Sequence, residues 1–484
     1  MNYPNPNDLY LCIDQGGHAS RVLVFNQHGE MVCQALQPIT ARHTQSDYIE
    51  YDAKAVVDSI RSALHSVFTE LGPRQQAIKA AGLATQRSNV VCWDNQTGQA
   101  LSPIISWQDR RGVSQVSSLQ PHAEQIRLTT GLFLSSHYGA SKLRWCLDNL
   151  PDVQAALATE RLRYGPMASY LIHQLVKEQP HLADPVNASR TQLLNLQTLD
   201  WDSTLLAMFN VPREPLPACV PNLHSYGHMR EAPAIPLRLV NGDQASAMYA
   251  YGALQPETAY LNIGTGAFIA RPSGQARVYG RRLLTSLIWH QPDDTEFVLE
   301  GTVNGAGAAL EWFEEEYTVP NLLQELPRWL EEVYEEPALF LNGIAGLGAP
   351  FWVADFPSRF EGTTRLEARA VAVVDSIVFL IQASLEEMLK LASPPQQILI
   401  SGGLAHLGGL CQRIADLSGL PLYRPRQIEA TGRGTAYLLA GSPSHWPEEK
   451  PGDWFMPKDN PSLFQTYHTW SALMLQTMRA QPAS

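Results

Sequence analysis

The sequence predicts an α/β fold made of two related domains. Two apolar runs, one ending at Gly242-Asp243 and one spanning residues 259–263, each lead into a polar loop that contains glycine, as strands do where they leave a sheet. Residues 10–16 (YLCIDQG) resemble residues 260–266 (YLNIGTG), and an internal echo of this kind indicates a duplicated architecture. A chain of 484 residues can also supply two domains with a full core each.

The composition is that of a globular protein and narrows the function classes. Apolar residues make up 45% and charged residues 17% of the chain, and the formal net charge of −12 argues against a nucleic-acid partner. The six scattered cysteines lack zinc-binding spacing and predict reduced, mostly buried thiols in a cytoplasmic protein. The N-terminus lacks the pattern of a signal peptide. Acidic residues interrupt the most apolar stretch, residues 368–392, which therefore predicts a buried helix and no membrane association.

The first glycine loop is predicted at the tip of a hairpin. Residues 9–13 and 21–25 predict strands, and a third strand follows near Met31. Glycine-rich tips can aim successive N–H groups at an anion, and Asp14, at the end of the first strand, can hold Mg²⁺ through water. A plain glycine-rich hairpin explains these residues equally well.

The rest of the first half predicts a helix and several strands with polar ends. Asp52 can cap an amphipathic helix that Gly72-Pro73 ends. Polar residues cluster after the strands that follow, where ligands bind in open α/β sheets. These strands are predicted at residues 78–85, 90–94 and 104–107.

Three side chains near these strand ends allow specific expectations. Arg87 suits hydrogen bonds to substrate hydroxyls, and Trp107 suits the face of a sugar or polyol. For Arg111 we expect a surface ion pair. Further along, residues 141–150 predict a helix and residues 185–191 predict a polar loop.

The second half predicts strands at residues 297–301 and 397–401 and a helix at residues 306–316. Gly402-Gly403 follows the second of these strands, and a strand–glycine–helix turn suits the ribose and phosphates of a nucleotide. Small residues at the start of the helix let a flat ring or another helix approach, and simple helix packing explains them nearly as well.

The loops at Gly242-Asp243 and at residues 264–266 together supply a carboxylate, backbone N–H groups and the hydroxyl of Thr265. This pairing suits phosphoryl transfer, in which an alcohol is deprotonated and a polyphosphate is held in line with it. A turn is the usual explanation for a lone Gly-Asp pair. The chain has no GxxxxGK[ST], which disfavours a P-loop fold, and no GxSxG or HExxH, which disfavours a hydrolase.

Ordered motifs across most of the chain carry a family resemblance. They occur as DQG, ATQRSNVVCWDNQTG, SWQDRRG, NASRTQLLNL, NGDQASAMYAYG, NIGTGAF and ISGGLAHLGGL, and they cover roughly residues 9–441. The set resembles the FGGY family of carbohydrate kinases, and within it the glycerol kinases. The resemblance implies two actin-like ATPase (ribonuclease H-like) domains, at residues 1–246 and 247–484, with the active site in the cleft between them. It also implies transfer of the γ-phosphate of ATP, with Mg²⁺, to a hydroxyl of a small polyol or sugar.

The resemblance also assigns roles to individual residues. Asp243 would be the general base, and Asp14 would hold Mg²⁺ through water. The substrate would be bound by Arg87, Ser88, Trp107, His137, Gln244 and Phe268. The nucleotide and its phosphates would be bound by Gly16, Gly17, His18, Arg21, Gly264, Thr265, Gly266, Gly307, Glu311, Gly402, Gly403 and His406. Related kinases are often dimers or tetramers, which is compatible with a homodimer or homotetramer here.

Two positions of the acceptor pocket depart from the pattern of the glycerol kinases. Ser88 stands where those enzymes have Glu, and His137 stands where they have Tyr. The first change removes a carboxylate that would accept two hydrogen bonds from hydroxyls. The pocket therefore suits a larger or differently hydroxylated acceptor than glycerol.

The nucleotide positions depart as well. Gly17-His18 replaces Thr-Thr, so the first phosphate loop lacks hydroxyls. Ser401, His406 and Glu311 replace Asp, Asn and Gln. These changes motivate an alternative function, a nucleotide- or sugar-binding regulator that has lost efficient transfer.

Overall fold

The computed structural model describes residues 7–45, 47–332, 337–426, 429–447 and 451–480. The chain forms two compact units. Unit 1 consists of Met1–Leu254, Ser286–Phe297 and Glu429–Glu449, and unit 2 consists of Gln255–Thr285, Val298–Ile428 and Lys450–Ser484. Each unit collects segments that are distant in the sequence, and both combine helices with strands, so the predicted α/β class is confirmed.

Strands and helices are interspersed along the chain. The strands are β1 (Leu9–Gln15), β2 (Ala19–Asn26), β3 (Met31–Pro38), β4 (Arg42–Gln45), β5 (Tyr48–Tyr51), β6 (Ile78–Thr85), β7 (Val90–Asp94), β8 (Ile104–Ile105), β9 (Leu162–Pro166), β10 (Leu182–Ala183), β11 (Leu194–Asn195), β12 (Asp200–Trp201), β13 (Ala218–Cys219), β14 (Leu223–His228), β15 (Pro236–Gly242), β16 (Thr258–Ile263), β17 (Ala267–Gly274), β18 (Leu284–Gln291), β19 (Asp294–Val303), β20 (Ala338–Leu341), β21 (Arg359–Gly362), β22 (Gln397–Ser401), β23 (Leu422–Arg424) and β24 (Asp453–Phe455). The helices are α1 (Ala53–Leu71), α2 (Val113–Ser118), α3 (Ala123–Thr130), α4 (Gly139–Asn149), α5 (Pro151–Ala158), α6 (Met167–Leu175), α7 (Pro185–Ser189), α8 (Ser203–Phe209), α9 (Asp243–Met248), α10 (Gly307–Glu316), α11 (Leu322–Trp329), α12 (Leu366–Leu389), α13 (Gly408–Ser418), α14 (Ala430–Leu439) and α15 (Pro461–Ala480). Short 3-10 helices cover Gly72–Ala77, Gln120–His122, Tyr249–Tyr251 and Gly403–His406.

The main sheet of unit 1 has the order β14-β15-β6-β1-β2-β3. β1 runs antiparallel to β2 and parallel to β6, and β15 also runs parallel to β6. The register pairs Gln15 with Thr85 and Thr85 with Gly242, so these three parallel strands end at one level. The residues that follow them are therefore neighbours at one edge of the sheet, where ligands bind in α/β folds.

Helix α1 packs on this sheet in the way that its periodicity predicts. Asp52 caps it by accepting a hydrogen bond from the backbone N–H of Ala55 at 3.0 Å, and the helix ends at Gly72. The predicted apolar face is buried, and it consists of Val56, Ile60, Leu64, Val67 and Leu71.

The main sheet of unit 2 has the order β18-β19-β17-β16-β22-β23-β24. β16 runs antiparallel to β17 and parallel to β22, and Asn262 lies opposite Ser401. Helix α12 is long and apolar enough to cross a membrane, but 89% of its most apolar window is buried inside the protein. This is the burial expected of a core helix, and it confirms the prediction of a buried helix in this stretch.

The two sheets share a core of five strands. The order β3-β2-β1-β6-β15 in unit 1 corresponds to the order β19-β17-β16-β22-β23 in unit 2. In each sheet the central strand, β1 or β16, is antiparallel to its neighbour on one side and parallel to its neighbour on the other, and the strand beyond that neighbour is parallel as well. The internal echo in the sequence therefore marks a duplicated supersecondary structure.

One predicted loop is a helix. Residues 185–191 contain α7, whose first residue is Pro185. Asp184 caps this helix, because its Oδ1 accepts the backbone N–H of Asn187 at 2.9 Å. Pro at the first helical position after an Asp cap is a helix-start signal, and the short length of α7 concealed it.

The prediction of a surface ion pair for Arg111 is wrong. This side chain is buried, and its Nη2 lies 2.8 Å from Asp109 and 2.7 Å from Glu50. The guanidinium also lies over the ring of Tyr48, 4.1 Å from its centroid. Two carboxylates and an aromatic face compensate the burial of the charge, which residue spacing alone could not reveal.

Candidate functional site

Asp243 is the first residue of α9 and directly follows β15. Its side chain is partly buried, and Oδ1 accepts the backbone N–H of Gln244 at 2.7 Å. Burial raises the pKa of Asp243, while the charges of Arg87 and Arg190 oppose this shift. A carboxylate with a raised pKa is a stronger base than an ordinary Asp, which suits proton transfer from an alcohol.

Asp14 and Arg21 face each other across the β1–β2 register and form an ion pair of 3.4 Å. Glu429, the residue before α14, lies 3.8 Å from Nε of the same arginine. Burial raises the pKa of Asp14 to about 7, the charges of Asp243 and Glu429 add to the rise, and Arg21 opposes it. Arg21 is therefore shared by two carboxylates, one of which comes from the far end of the sequence.

The pair of Asp14 and Asp243 fits a magnesium ion. In the described ranges of the chain, no three His, Cys, Asp or Glu side chains are grouped so that they could hold a metal ion. Mg²⁺ is commonly held by one or two carboxylates together with waters and substrate phosphates, so a complete protein cage is not required. The charge of Asp243 raises the pKa of Asp14, and a divalent cation would relieve this repulsion.

Arg87 and Gln244 are joined side chain to side chain. Nη2 of Arg87 donates a hydrogen bond to Oε1 of Gln244. Gly242 makes this approach possible, since a Cβ at that position would lie 2.7 Å from Cδ of Arg87. Three predicted residues, Arg87, Asp243 and Gln244, therefore come together at the common end of β6 and β15.

Trp107 and His137 form an aromatic pair, with ring centroids 5.2 Å apart. Lys142 is fully buried, and its Nζ donates to the carbonyls of Ser106 and His137 at 2.7 Å each, which fixes the chain on both sides of the pair. Burial, and then the charge of Lys142, hold the pKa of His137 well below its usual value. The imidazole is therefore neutral near pH 7 and can offer a ring face beside Trp107.

Ser88 is buried and lies between β6 and β7. Its φ of 67° is in the left-handed region, which is uncommon for residues other than glycine. Backbone strain of this kind occurs often at ligand sites. Ser88, one of the residues predicted to bind the substrate, thus has an unusual backbone conformation.

The first glycine loop closes on itself after β1. The backbone N–H of Gly16 donates to the carbonyl of Ala19 at 3.1 Å. A Cβ at Gly17 would lie 2.7 Å from Nε2 of Gln86, so this side chain lies directly against the loop. His18 is exposed.

The second glycine loop, in unit 2, is held by backbone groups. The N–H of Gly264 donates to the carbonyl of Gly266 at 2.8 Å, and N–H groups at the start of α10 donate to the carbonyls of Gly264 and Thr265 at 3.0–3.1 Å. A Cβ at Gly307 would lie 2.7 Å from the carbonyl oxygen of Gly264. The missing Cβ of Gly307 therefore allows this helix start to pack closely against the loop, and the contact of the small residues with a nucleotide stays a prediction.

The third glycine pair also lies against the end of β16. Gly402 has a φ of 95°, and a Cβ there would lie 2.4 Å from the carbonyl oxygen of Ile263. Gly403 has open space at the same position, and both glycines are exposed. The unit 2 residues Gly264, Gly307 and Gly402 are therefore grouped around the end of one strand.

Three further predicted residues lie on the elements that carry these glycines or beside them. Glu311 is exposed on α10, one turn beyond Gly307, and His406 is exposed at the end of the 3-10 helix Gly403–His406. Phe268 is partly exposed on β17, the partner strand of β16. Their contacts with ligands stay predictions.

Sequence reasoning missed three side chains of the unit 1 site. Glu429 is joined to Arg21, and Arg190 acts on both Asp243 and His137 through its charge. Asn89 holds the backbone of Trp107, whose N–H donates to its Oδ1 at 2.7 Å. Asn89 and Arg190 lie within the motifs ATQRSN and NASRT, so their presence in a motif could have marked them as site residues. Glu429 lies in none of these motifs, and nothing in the sequence marked it.

Comparison with known proteins defines the class. The N-terminal domain model of the FGGY family of carbohydrate kinases matches residues 9–241, and the C-terminal domain model matches residues 259–442. The chain belongs to the FGGY family of carbohydrate kinases, as its motifs predict. It is accordingly an ATP-dependent kinase of a sugar or polyol, with ATP and Mg²⁺ as its cofactors.

Its similar proteins include many glycerol kinases. The chain is 30% identical over 448 residues to the glycerol kinase of Natranaerobius thermophilus, with 90% of each chain covered. It is 33% identical over 456 residues to that of Paracidovorax citrulli, with 88% and 89% covered. Its fold is similar to that of Plasmodium falciparum glycerol kinase with ADP (TM-score 0.87, 21% identity, 98% and 99% covered) and of ligand-bound xylulose kinase from Lactobacillus acidophilus (TM-score 0.83, 20% identity, 99% of each covered). None of these matches supports the alternative of a regulator.

Proposed function

We propose that this kinase phosphorylates a hydroxyl of a small polyol or ketose, with Asp243 as the general base. The observation that carries the proposal is the grouping of Asp243, Gln244 and Arg87 at the common end of β6 and β15. A base and two hydrogen-bonding side chains at one strand end are what an alcohol acceptor requires.

The transfer is a single displacement. The acceptor oxygen attacks the γ-phosphorus of ATP, its proton passes to Oδ2 or Oδ1 of Asp243, and the bond to the bridging oxygen breaks to release ADP. Arg87 and Gln244 bind hydroxyls of the acceptor, and Trp107 with His137 covers its apolar face. The raised pKa of Asp243 supports the role of base, because it brings the carboxyl closer to the pH of the reaction.

The remaining groups bind the nucleotide. Mg²⁺, which Asp14 would hold through water, neutralises charge on the phosphates when it is bound. In unit 2, the loop of residues 264–266 and the glycines 307, 402 and 403 bind the nucleotide, and the exposure of Thr265, Gly402 and Gly403 supports this assignment. Glu311 lies on the helix that begins at Gly307, and His406 ends the 3-10 helix that begins at Gly403. We assign both residues to the nucleotide site as well.

The acceptor class follows from the relatives and from two positions. Relatives that are 30% and 33% identical to the chain are named glycerol kinases. By the family resemblance, Ser88 and His137 stand where the glycerol kinases have Glu and Tyr. A serine is shorter than a glutamate and carries no charge, so the pocket accommodates a longer chain of hydroxyls. We therefore propose tetritols, pentitols and ketoses as acceptors beside glycerol.

The test is a coupled assay of ADP release on the purified full chain with MgATP. The panel contains glycerol, erythritol, xylitol, pentuloses and hexuloses. Acceptor-dependent ADP release with at least one of them is expected. If ADP release stays at the background level with every acceptor while ATP still binds, the proposed function is wrong. That result would favour the alternative, a nucleotide- or sugar-binding regulator.

A further inference from the structure

The side chain of Gln86 follows β6 and lies beside the first glycine loop. Its backbone N–H donates to the carbonyl of Gln15 at 3.1 Å, which ties the residue to the end of β1. The side chain is partly exposed, so a ligand can reach it. The family resemblance assigns no role to this residue.

A chain of hydrogen bonds fixes the orientation of the Gln86 amide. The backbone N–H of Trp107 can only donate, and it donates to Oδ1 of Asn89 at 2.7 Å. Asn89 must therefore present its Nδ2 on the other side, and Nδ2 donates to Oε1 of Gln86 at 3.1 Å. Since Asn89 is buried, with 1% of its surface exposed, it has no room to turn. The amide nitrogen of Gln86 is consequently the group that faces away from Asn89.

This amide nitrogen is aimed at the glycine loop. A Cβ at Gly17 would lie 2.7 Å from Nε2 of Gln86 and 3.5 Å from the hydroxyl of Tyr51. The amide thus occupies the space that any side chain at position 17 would need. Within the part of the chain that the structure describes, no protein atom accepts a hydrogen bond from this nitrogen.

We propose that Nε2 of Gln86 donates a hydrogen bond to the phosphoryl group that is transferred, and that Asn89 is the residue that positions it. The donor takes the part of the hydroxyl that the loop lacks at Gly17. This inference rests on the proposed function, since it assigns a donor to that reaction. Amide donors that are fixed before the reaction stabilise the charge that spreads over phosphoryl oxygens in the transition state.

The first experiment replaces Gln86 with Met, which has nearly the same shape and no donor. We expect kcat to fall about 10- to 100-fold, the range for a lost hydrogen bond to a charged group, with the Kd of the acceptor unchanged. Gln86→Glu keeps an oxygen for Asn89 but brings a carboxylate towards the phosphate, and its kcat should fall further. Gln75→Met, at an exposed site in the 3-10 helix Gly72–Ala77, is the matched control and should leave kcat unchanged. An unchanged kcat in Gln86→Met overturns the proposal.

The second experiment tests whether Gly17 and Gln86 act as one unit. Gly17→Ala places a methyl group where the amide lies, so it should lower kcat as Gln86→Met does, and the double variant should lose little more than either single variant. Fully additive losses contradict the proposal. If Gln86 had only a structural role, Gln86→Met would lower the thermal stability and weaken the binding of both ATP and the acceptor. That result also contradicts the proposal.

A binding measurement separates this inference from the proposed function. The donor contacts the γ-phosphate, so Gln86→Met should reduce the preference for MgATP over MgADP about 3- to 10-fold in equilibrium titration, even if no acceptor is turned over. If the wild type transfers phosphate but the variant keeps both its kcat and its ATP preference, only the inference fails. If the wild type transfers nothing and the ATP preference still falls, only the proposed function fails.

Discussion

The loops after β1 and β16 follow corresponding strands of two sheets with the same order, yet they are made of different groups. Asp14, the penultimate residue of β1, pairs with Arg21, which Glu429 also approaches. Gly264 stands at the matching place after β16, where the loop carbonyls accept N–H groups from the start of α10. One copy of the duplicated motif therefore concentrates side-chain charge, and the other concentrates backbone packing.

This difference has a physical basis. A buried charge at a strand end needs a partner of opposite sign, and unit 1 supplies one for Asp14 from β2, where Arg21 also pairs with Glu429. A glycine loop needs only space and backbone partners, and unit 2 supplies these through Gly307 and Gly402, whose missing Cβ atoms allow contact with Gly264 and Ile263. The same strand order can thus present charged side chains in unit 1 and closely packed backbone in unit 2.

The largest expected effect tests the charged strand ends of unit 1, where Asp243 follows β15. Asp243→Asn removes the proton acceptor while keeping the shape of the side chain, so kcat should fall by about 10² to 10⁴, the usual contribution of a positioned general base. Steady-state kinetics with the best acceptor of the panel measure this loss. Asp152→Asn, on the exposed first turn of α5, is the control and should retain full activity. A variant Asp243→Asn that turns over at the wild-type rate removes this residue from the role of base.

A second prediction concerns the buried carboxyl of Asp184, which caps α7 in unit 1. Burial raises the pKa of Asp184 to about 6 from an ordinary value of 3.8. Between pH 4 and pH 6 the folded protein keeps a proton that the unfolded chain has released, so the free energy of unfolding falls as the pH rises through this window. The full loss is up to about 3 kcal/mol, and it is complete above pH 6.

Denaturant unfolding of the wild type and of Asp184→Asn between pH 4 and pH 7 measures this effect. The variant carries no titrating group at this position, so its free energy of unfolding should change less across the window than that of the wild type. The same pH slope in both proteins would contradict the shift. Asp152→Asn should reproduce the wild-type slope.

A third prediction tests the backbone copy. Gly402→Ala forces a Cβ to within 2.4 Å of a backbone carbonyl at a φ of 95°, whereas Gly403→Ala adds a Cβ into open space. The first variant should lose about 1–3 kcal/mol of stability, the cost of a strained backbone position, and the second should lose little. Thermal unfolding of the two neighbours under identical conditions measures the contrast. Equal melting temperatures would show that the close packing of this loop does not limit its stability.

The smallest expected effect concerns the partner that the charged copy takes from the end of the sequence. Glu429 lies 3.8 Å from Arg21, and a third of the arginine side chain is exposed, so Glu429→Gln should change the free energy of unfolding by less than about 1 kcal/mol. Denaturant unfolding checks this value. A much larger loss would mean that the charges around β1 hold the fold together, which would weaken the contrast with the packed loop after β16.

Many elements could be predicted from the sequence because their signals are local. The strand Ile78–Thr85 and the cap of α1 by Asp52 follow from periodicity and capping chemistry over a few residues. Asp243, Gln244 and Arg87 could be assigned to one pocket because the family resemblance rests on the short motifs that contain them. Helix α7 was missed because five residues are too few for a helical period to show.

The sequence by itself determined the family, the duplicated strand–glycine–strand motif and the residue types available for chemistry, because each is written in a short contiguous segment. The tertiary structure alone decided that Arg111 is buried between two carboxylates, that Glu429 reaches Arg21, and that Asn89 turns the amide of Gln86 towards Gly17. These arrangements depend on which strands pair and in what register, and long-range pairing leaves no periodic signal in the residues that it brings together.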